Sequence, residues 1–211
     1  MRDDMQRYWA ELAGIMTDMP FDALEQVADL LVETYRRQST VFVLGNGGSA
    51  ATASHLACDL SKGTRIEGLA PFRVVPLTDN VPLLTAWAND TSYAEVFAAQ
   101  LTALVRHGDL VVVISASGNS PNVLAAARVA RTSGAAVVAL TGSSGGRLRH
   151  LSDIAVRVPA GSIEQTEDLH LVMAHSLCVA LRGRLRAEAK PKGIGLQSAD
   201  DALVAPAVGA L

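Results

Sequence analysis

The chain has 211 residues, of which 49% are hydrophobic, 18% charged and 4% aromatic, with a formal net charge of −3 at pH 7. That size and apolar fraction predict one large domain with a sizeable core, and the Ala, Val and Leu richness suits a parallel sheet covered by helices. The mild acidity and the absence of a Lys/Arg-rich face argue against a nucleic-acid partner; the charged start Met1-Arg2-Asp3-Asp4 and the lack of a long uninterrupted apolar run predict neither signal peptide nor membrane span, hence a cytoplasmic protein.

Residues 4–16 and 21–38 predict two helices separated at Met19-Pro20, the second carrying Leu24, Val27, Leu30, Leu31 and Tyr35 at helical spacing. They precede the first strand and stand outside the β/α alternation, an addition of the kind that packs on a neighbouring subunit. From there strand 40–44 leads to helix 48–62, and strand 73–77 to helix 81–88, with a further helix over 93–106. Strand 110–114 leads to helix 120–133, strand 136–141 to a short helix near 145–150, and strand 153–158 to a long helix over 163–187. Five short apolar strands separated by helices predict a doubly wound five-stranded parallel sheet, with ligands at the carboxyl ends of the strands. The single domain is expected to span residues 1–187, helical extension 4–38 included. Residues 188–211, interrupted by Pro191 and Gly193, read as a tail. Cys58 and Cys178 fall in apolar helical patterns and are expected to be buried free thiols.

Three segments carry chemistry. Strand 40–44 runs into Gly45-Asn46-Gly47-Gly48-Ser49-Ala50, a glycine-rich turn that opens a helix; converging N–H groups and the helix dipole make an anion site there. His55 and Asp59, four apart, share one face of that helix as an acid–base or metal pair. A phosphorylated small molecule is the expected ligand. The turn also matches G-x-G-x-x-A, the dinucleotide fingerprint, but the second strand ends near Leu77 and Asp79 lies 34 residues after Gly45, too far on for the ribose acid.

The second segment, Ser115-Ala116-Ser117-Gly118-Asn119-Ser120, places three hydroxyls and a glycine at another strand-to-helix turn. Phosphate binding and ordinary capping by Ser117 or Ser120 both fit this pattern, and three serines favour phosphate. Thr141-Gly142-Ser143-Ser144-Gly145 repeats the chemistry, but with one phosphate to bind it reads as a turn and cap. In the third segment, Glu164 to His175, the residues Glu167, Leu171 and His175 step by four along one helix face. With His55 and Asp59 they make a two-His, two-carboxylate set suited to zinc or another divalent ion. Dipole compensation by Glu167 and a structural role for His175 stay open at this level.

Together GNGGSA at 45–50, HLACD at 55–59, ANDTSY at 88–93, SASGNSPNV at 115–123 and the 164–175 helix resemble the SIS-type sugar isomerases, specifically the sedoheptulose-7-phosphate (phosphoheptose) isomerase branch, over about residues 5–187. The resemblance implies an aldose–ketose isomerase that converts sedoheptulose 7-phosphate to D-glycero-D-manno-heptose 7-phosphate through an enediol. It implies a homotetramer with interfacial active sites and one zinc ion per site. Carried over by position, Ser49, Ser115, Ser117 and Ser120 match phosphate binders in the Gly47-Gly48 and serine loops. Asn46, Asp90 and Glu167 match substrate-lining positions. His55, Asp59, Glu167 and His175 match the zinc and acid–base set, with Asp59 as base and His175 as acid. The family mostly has Glu at Asp59, Gln at Glu167 and Arg at Gly63, and an Asp is common at Glu164. The competing expectation is a non-catalytic SIS module that binds a phosphosugar or, like one relative of these isomerases, the replication initiator DnaA.

Overall fold

The structure is a computed structural model that describes residues 1–189, so the expected tail falls almost wholly outside the described residues. Helices α1 (Arg2–Thr17) and α2 (Phe21–Arg36) come first. Then follow β1 (Thr40–Gly45), α3 (Gly48–Cys58), β2 (Arg73–Pro76), α4 (Val81–Asp90), α5 (Ala98–Leu104) and β3 (Leu110–Ser115). The chain continues through α6 (Pro121–Thr132), β4 (Ala136–Gly142), β5 (Ile154–Val158) and α7 (Ile163–Ala189). The five strands form one parallel sheet in the order β2-β1-β3-β4-β5. After β1 the chain moves outward to β2; it then returns and runs the other way from β3, which opens a crevice between the carboxyl ends of β1 and β3.

Strand periodicity divides the core into two layers. Val41, Val43, Val112, Ile114, Val138 and Leu140 face α2 and α7, whereas Phe42, Leu44, Val111, Val113, Val137 and Ala139 face α5 and α6. Both faces of the central strands are thus covered, and the strands read as near-continuous apolar runs for that reason.

Several boundaries differ from the sequence reading. Helix 48–62 stays α-helical only to Cys58 and then widens into a π-turn over Asp59–Gly63, closed by Thr64 N–H donating to the Asp59 carbonyl at 3.1 Å. The hydroxyls of Ser61 and Thr64 bond back to the carbonyls of Ala57 and Leu60, each at 2.7 Å, which supports the irregular turn. Residues 93–97 form turns rather than the start of α5, because α4 ends at Thr91 and a new turn forms between Ser92 and Glu95. The helix expected near 145–150 shortens to the 3-10 turn Leu148–His150. Cys58 is exposed on the outer face of α3, contrary to expectation, whereas Cys178 is buried and its thiol is pushed up chiefly by that burial.

The two N-terminal helices behave differently. α2 buries Leu24, Val27, Ala28, Leu31, Val32 and Tyr35 against its own chain, so it is not an appendage. α1 buries no residue. It is tied along the start of α7 by Tyr8 donating to Asp168 at 2.6 Å and Gln165 donating to Glu11 at 2.9 Å. The Asp168 hydrogen bond holds the Tyr8 phenol well up, at about 12. Among the described residues, no helix is long and apolar enough to cross a membrane.

Candidate active site

The loops after β1 and β3 meet over the switch point, where Gly45 and Ile114 are register partners. Between them lies a cavity of about 160 Å³ lined by Asn46, Ser49, Ser115, Ser117, Ser120 and Glu167, among others. The glycines of the first loop have separate causes. Gly47 sits at φ 53°, ψ −124°, a conformation that side chains strongly disfavour. At Gly48 a Cβ would lie 2.3 Å from Glu167 Oε2, so only glycine lets α7 bring that carboxylate against the start of α3. Neither cause involves a dinucleotide, and Asp79 is already engaged by the hydroxyls of Ser54 and Thr78.

In the second loop Ser115 Oγ accepts the Gly118 N–H and Ser117 Oγ accepts the Asn119 N–H, both at 3.2 Å. A hydroxyl that accepts a backbone N–H keeps its own proton to donate. Ser120 stands at the N-cap of α6 but makes no side-chain capping bond, so its hydroxyl is not committed to the helix. The loop is braced from β4: Gly142 N–H donates to the Ala116 carbonyl and Leu148 N–H to the Gly118 carbonyl, both at 2.9 Å, and Arg147 N–H donates to Asn119 Oδ1 at 3.0 Å. Thr141 and Gly142 close β4, and the expected turn follows them at Ser143 and Ser144, with Gly145 N–H on the Gly142 carbonyl at 3.0 Å.

Asn46 is fixed by a residue that the sequence reading did not single out. Its Nδ2 donates to Asn122 Oδ1 at 2.9 Å, and Asn122 Nδ2 donates back to Asn46 Oδ1 at 2.8 Å. Tyr93 also donates to Asn46 Oδ1, at 3.0 Å. Asn122 is almost wholly buried, and the pair bolts the β1 loop to the first turn of α6. A polar residue in the apolar run of α6 was the available signal.

Farther along, α3 and α7 meet again. His55 Nε2 and His175 Nε2 are 2.8 Å apart with their rings edge to face, and Asp59 Oδ2 lies 3.5 Å from the first and 3.8 Å from the second. Both imidazoles are exposed, and the Asp59 carboxylate is partly buried between them and the protein. With Gly48 against Glu167 at one end and this group at the other, the two helices run in the same direction. Two facing nitrogens require either a shared proton or a cation. Ligands on a tetrahedral ion with bonds of about 2.0–2.1 Å lie about 3.3 Å apart, close to the spacings seen here. His55, Asp59 and His175 are therefore a group that can hold a metal ion.

Glu167 lies outside that group. It shares a helix face with His175 but stands eight residues, about 12 Å along the axis, nearer the start of α7. Asp90 ends α4 exposed, accepting from Asn89 Nδ2 at 2.9 Å, and does not line the serine cavity of its own chain. Glu164 is exposed in the first turn of α7. His170 is fully buried, and neither ring nitrogen meets a hydrogen-bond partner by geometry. Burial pushes its imidazole down to about 4, against a smaller upward pull from the nearby Thr141 backbone.

The SIS domain family matches residues 7–142 of the chain. The phosphoheptose isomerase of Rhodospirillum rubrum is 39% identical over 156 residues, which is 74% of this chain and 82% of that protein. The chain belongs to the phosphoheptose isomerase family. Solved structures agree: the phosphoheptose isomerase of Francisella tularensis superposes with a TM-score of 0.81 at 31% identity, covering 86% of this chain and 97% of that one. Phosphoheptose isomerase GmhA of Neisseria gonorrhoeae gives 0.80 at 29% identity, covering 86% and 98%. The family's SIS fold is thus the five-stranded sheet described above, and its two loops and α3–α7 group are where the chain's own geometry concentrates chemistry.

Proposed function

We propose that the protein is a cytoplasmic isomerase that interconverts sedoheptulose 7-phosphate and D-glycero-D-manno-heptose 7-phosphate through an enediol. The observation that carries this reading is the His55–Asp59–His175 group beside a serine-lined cavity in a phosphoheptose isomerase chain. From Ser49 to His55 the α3 axis advances about 9 Å, which suits a sugar phosphate held at one end and processed at the other.

In this reading Ser49, Ser115, Ser117 and Ser120 bind the phosphate with hydroxyl and backbone donors, aided by Gly47 and Gly48. Asn46, held by Asn122 and Tyr93, and Glu167 face the sugar hydroxyls. Asp59 takes the proton from the carbon beside the carbonyl and returns it to the neighbouring carbon. His175 donates a proton to the carbonyl oxygen and accepts one from the adjacent hydroxyl, so that protons balance over the cycle. Zinc held by His55, Asp59 and His175 would supply Lewis-acid polarisation of the two oxygens. Glu167 is assigned to the substrate, because its carboxylate stands among the serines.

The assembly proposed is a homotetramer of single SIS domains spanning 1–187. A 16-residue helix with no fully buried residue in its own chain, and an Asp90 outside its own cavity, support subunit contacts at α1 and at the site.

The test is incubation of zinc-supplemented protein with sedoheptulose 7-phosphate in D2O, followed by proton NMR. Exchange beside the carbonyl and a new aldose anomeric signal are expected. Asp59→Asn should abolish turnover with the fold intact; retained turnover removes Asp59 as the base. Silence with every sugar phosphate tried, at confirmed zinc occupancy, would favour a phosphosugar- or DnaA-binding module.

A further inference from the structure

A second cavity, of about 410 Å³, lies at the opposite end of the sheet, where β2, β1 and β3 begin. β1 is six residues long, so about 17 Å of strand separates this cavity from the catalytic loops. Its lining brings together Arg73 at the first position of β2 and Arg106 and His107 from the turn before β3. Both guanidiniums are exposed, and among the described residues neither is in an ion pair. The one acid in the lining, Asp109, is buried and committed: Oδ1 accepts the Thr40 N–H and Oδ2 the Arg106 N–H, both at 2.8 Å. Asp109 thereby ties the start of β1 to the turn that carries both Arg106 and His107.

The rest of the lining is shaped rather than incidental. His107 rests on Gly134, where a Cβ would come within 2.6 Å of its ring, and Gly108 N–H anchors that contact on the Gly134 carbonyl at 3.1 Å. Gln38 at the rim has φ 54°, and it is the one non-glycine residue with positive φ among the described residues. That conformation is the left-handed C-terminal cap of α2, with Gln38 N–H on the Tyr35 carbonyl at 2.9 Å and Ser39 N–H on the Thr34 carbonyl at 3.1 Å, and it shapes the rim. Val75 and Leu104 give the cavity an apolar wall. In a chain of net charge −3, two unpaired guanidiniums and an imidazole around one pocket are a local reversal of sign.

We infer that this cavity is a second binding site, separate from the catalytic one, for a small phosphorylated molecule. The two guanidiniums would grip phosphate oxygens bidentately, and Val75 with Leu104 would cover the organic body. The inference does not depend on the isomerase reading, since it concerns residues that play no part there. A ligand here would bridge the β1, β2 and β3 starts and so stabilise the sheet.

The test titrates the full chain with inorganic pyrophosphate and, separately, with ATP, at ionic strength matched with sodium chloride. Calorimetry and melting temperature are the readouts. The expected result is a binding event at this cavity, whether or not a further one occurs at the serine loop. At about ten times the Kd, the melting temperature should rise by about 3–6 °C. Arg73→Gln with Arg106→Gln should weaken one event by about tenfold or more while Ser120→Ala leaves that event in place. Arg73→Lys with Arg106→Lys, which keeps the charge and removes the fork, should weaken it less and guards against a folding defect. Tighter binding of ATP would mark a nucleotide ligand, and equal binding a bare phosphate group; both support the site. Isotherms unchanged in both arginine variants, or a single event lost only in Ser120→Ala, would overturn it.

Discussion

The Asn46–Asn122 pair gives the sharpest energetic expectation. Replacing Asn122 by Ala removes two amide hydrogen bonds of 2.9 and 2.8 Å and the acceptor of the Val123 N–H, also at 2.9 Å. Two neutral bonds are worth about 1 kcal/mol each, and an orphaned buried N–H adds about 1–2 kcal/mol, so Asn122→Ala should cost about 3–4 kcal/mol. Asn46→Ala removes the same two bonds and leaves the buried Asn122 amide short of partners, relieved in part by water entering at the half-buried Asn46 position, so it should cost about 2–3 kcal/mol. If the two side chains act mainly on each other, the double variant should fall short of the sum by about 1–2 kcal/mol. Equilibrium urea unfolding of the four proteins measures this, with kcat/KM recorded alongside because a released Asn46 loses its aim at the substrate. Additivity within about 0.5 kcal/mol would show that the amide pair does not couple the β1 loop to α6 and would refute the reasoning.

Glu167→Gln removes a carboxylate from the cavity that the phosphate is proposed to occupy. Across so small a cavity, with partial solvent screening, the repulsion lost is worth about 1–2 kcal/mol, so KM should fall about five- to thirtyfold; an unchanged KM would show that the carboxylate exerts no field on the phosphate. His170 makes the fold sensitive to acid. Its folded pKa of about 4 lies below the value of 6.5 it takes when exposed, so the unfolded chain binds more protons between those limits. Stability should therefore be lost as pH falls through that window, by about 3 kcal/mol at most, and His170→Leu should flatten that part of the curve. Equal pH slopes for the two proteins would remove His170 as the cause. Zinc should raise the melting temperature of the wild type and not of a His55→Ala, His175→Ala double variant; an equal rise in both would place bound zinc elsewhere.

Much of the architecture was legible because strand periodicity is local. Apolar runs at 40–44, 110–114 and 136–141 sit between helices whose polar faces are obvious, and each strand appears within a residue or so of its expected bounds. The Gly45 to Ser49 turn and the three serines after β3 were visible for the same reason. What escaped the sequence was whatever depends on how helices lie against one another. Spacing places Glu167 and His175 on one face of α7, yet the meeting of α3 and α7 assigns the first to Gly48 and the second to His55. The π-turn at Asp59 was hidden because Ser61 and Thr64 look like ordinary helix-surface residues until their hydroxyls turn back on the backbone. Asn122 was hidden because its partner is 76 residues away.

The distance along the chain between His55 and His175 has a consequence for synthesis. The two imidazoles that touch at 2.8 Å are separated by 120 residues, and His175 stands on the last described helix. At a translation rate of about 5–20 residues per second, His55 waits some 6–24 s before its partner is made. Throughout that interval the growing chain carries the β1 loop, His55 and Asp59 without the residue that completes the group. A chain cut short before α7 lacks His175 and holds no assembled centre, so the chemistry becomes available only to finished protein.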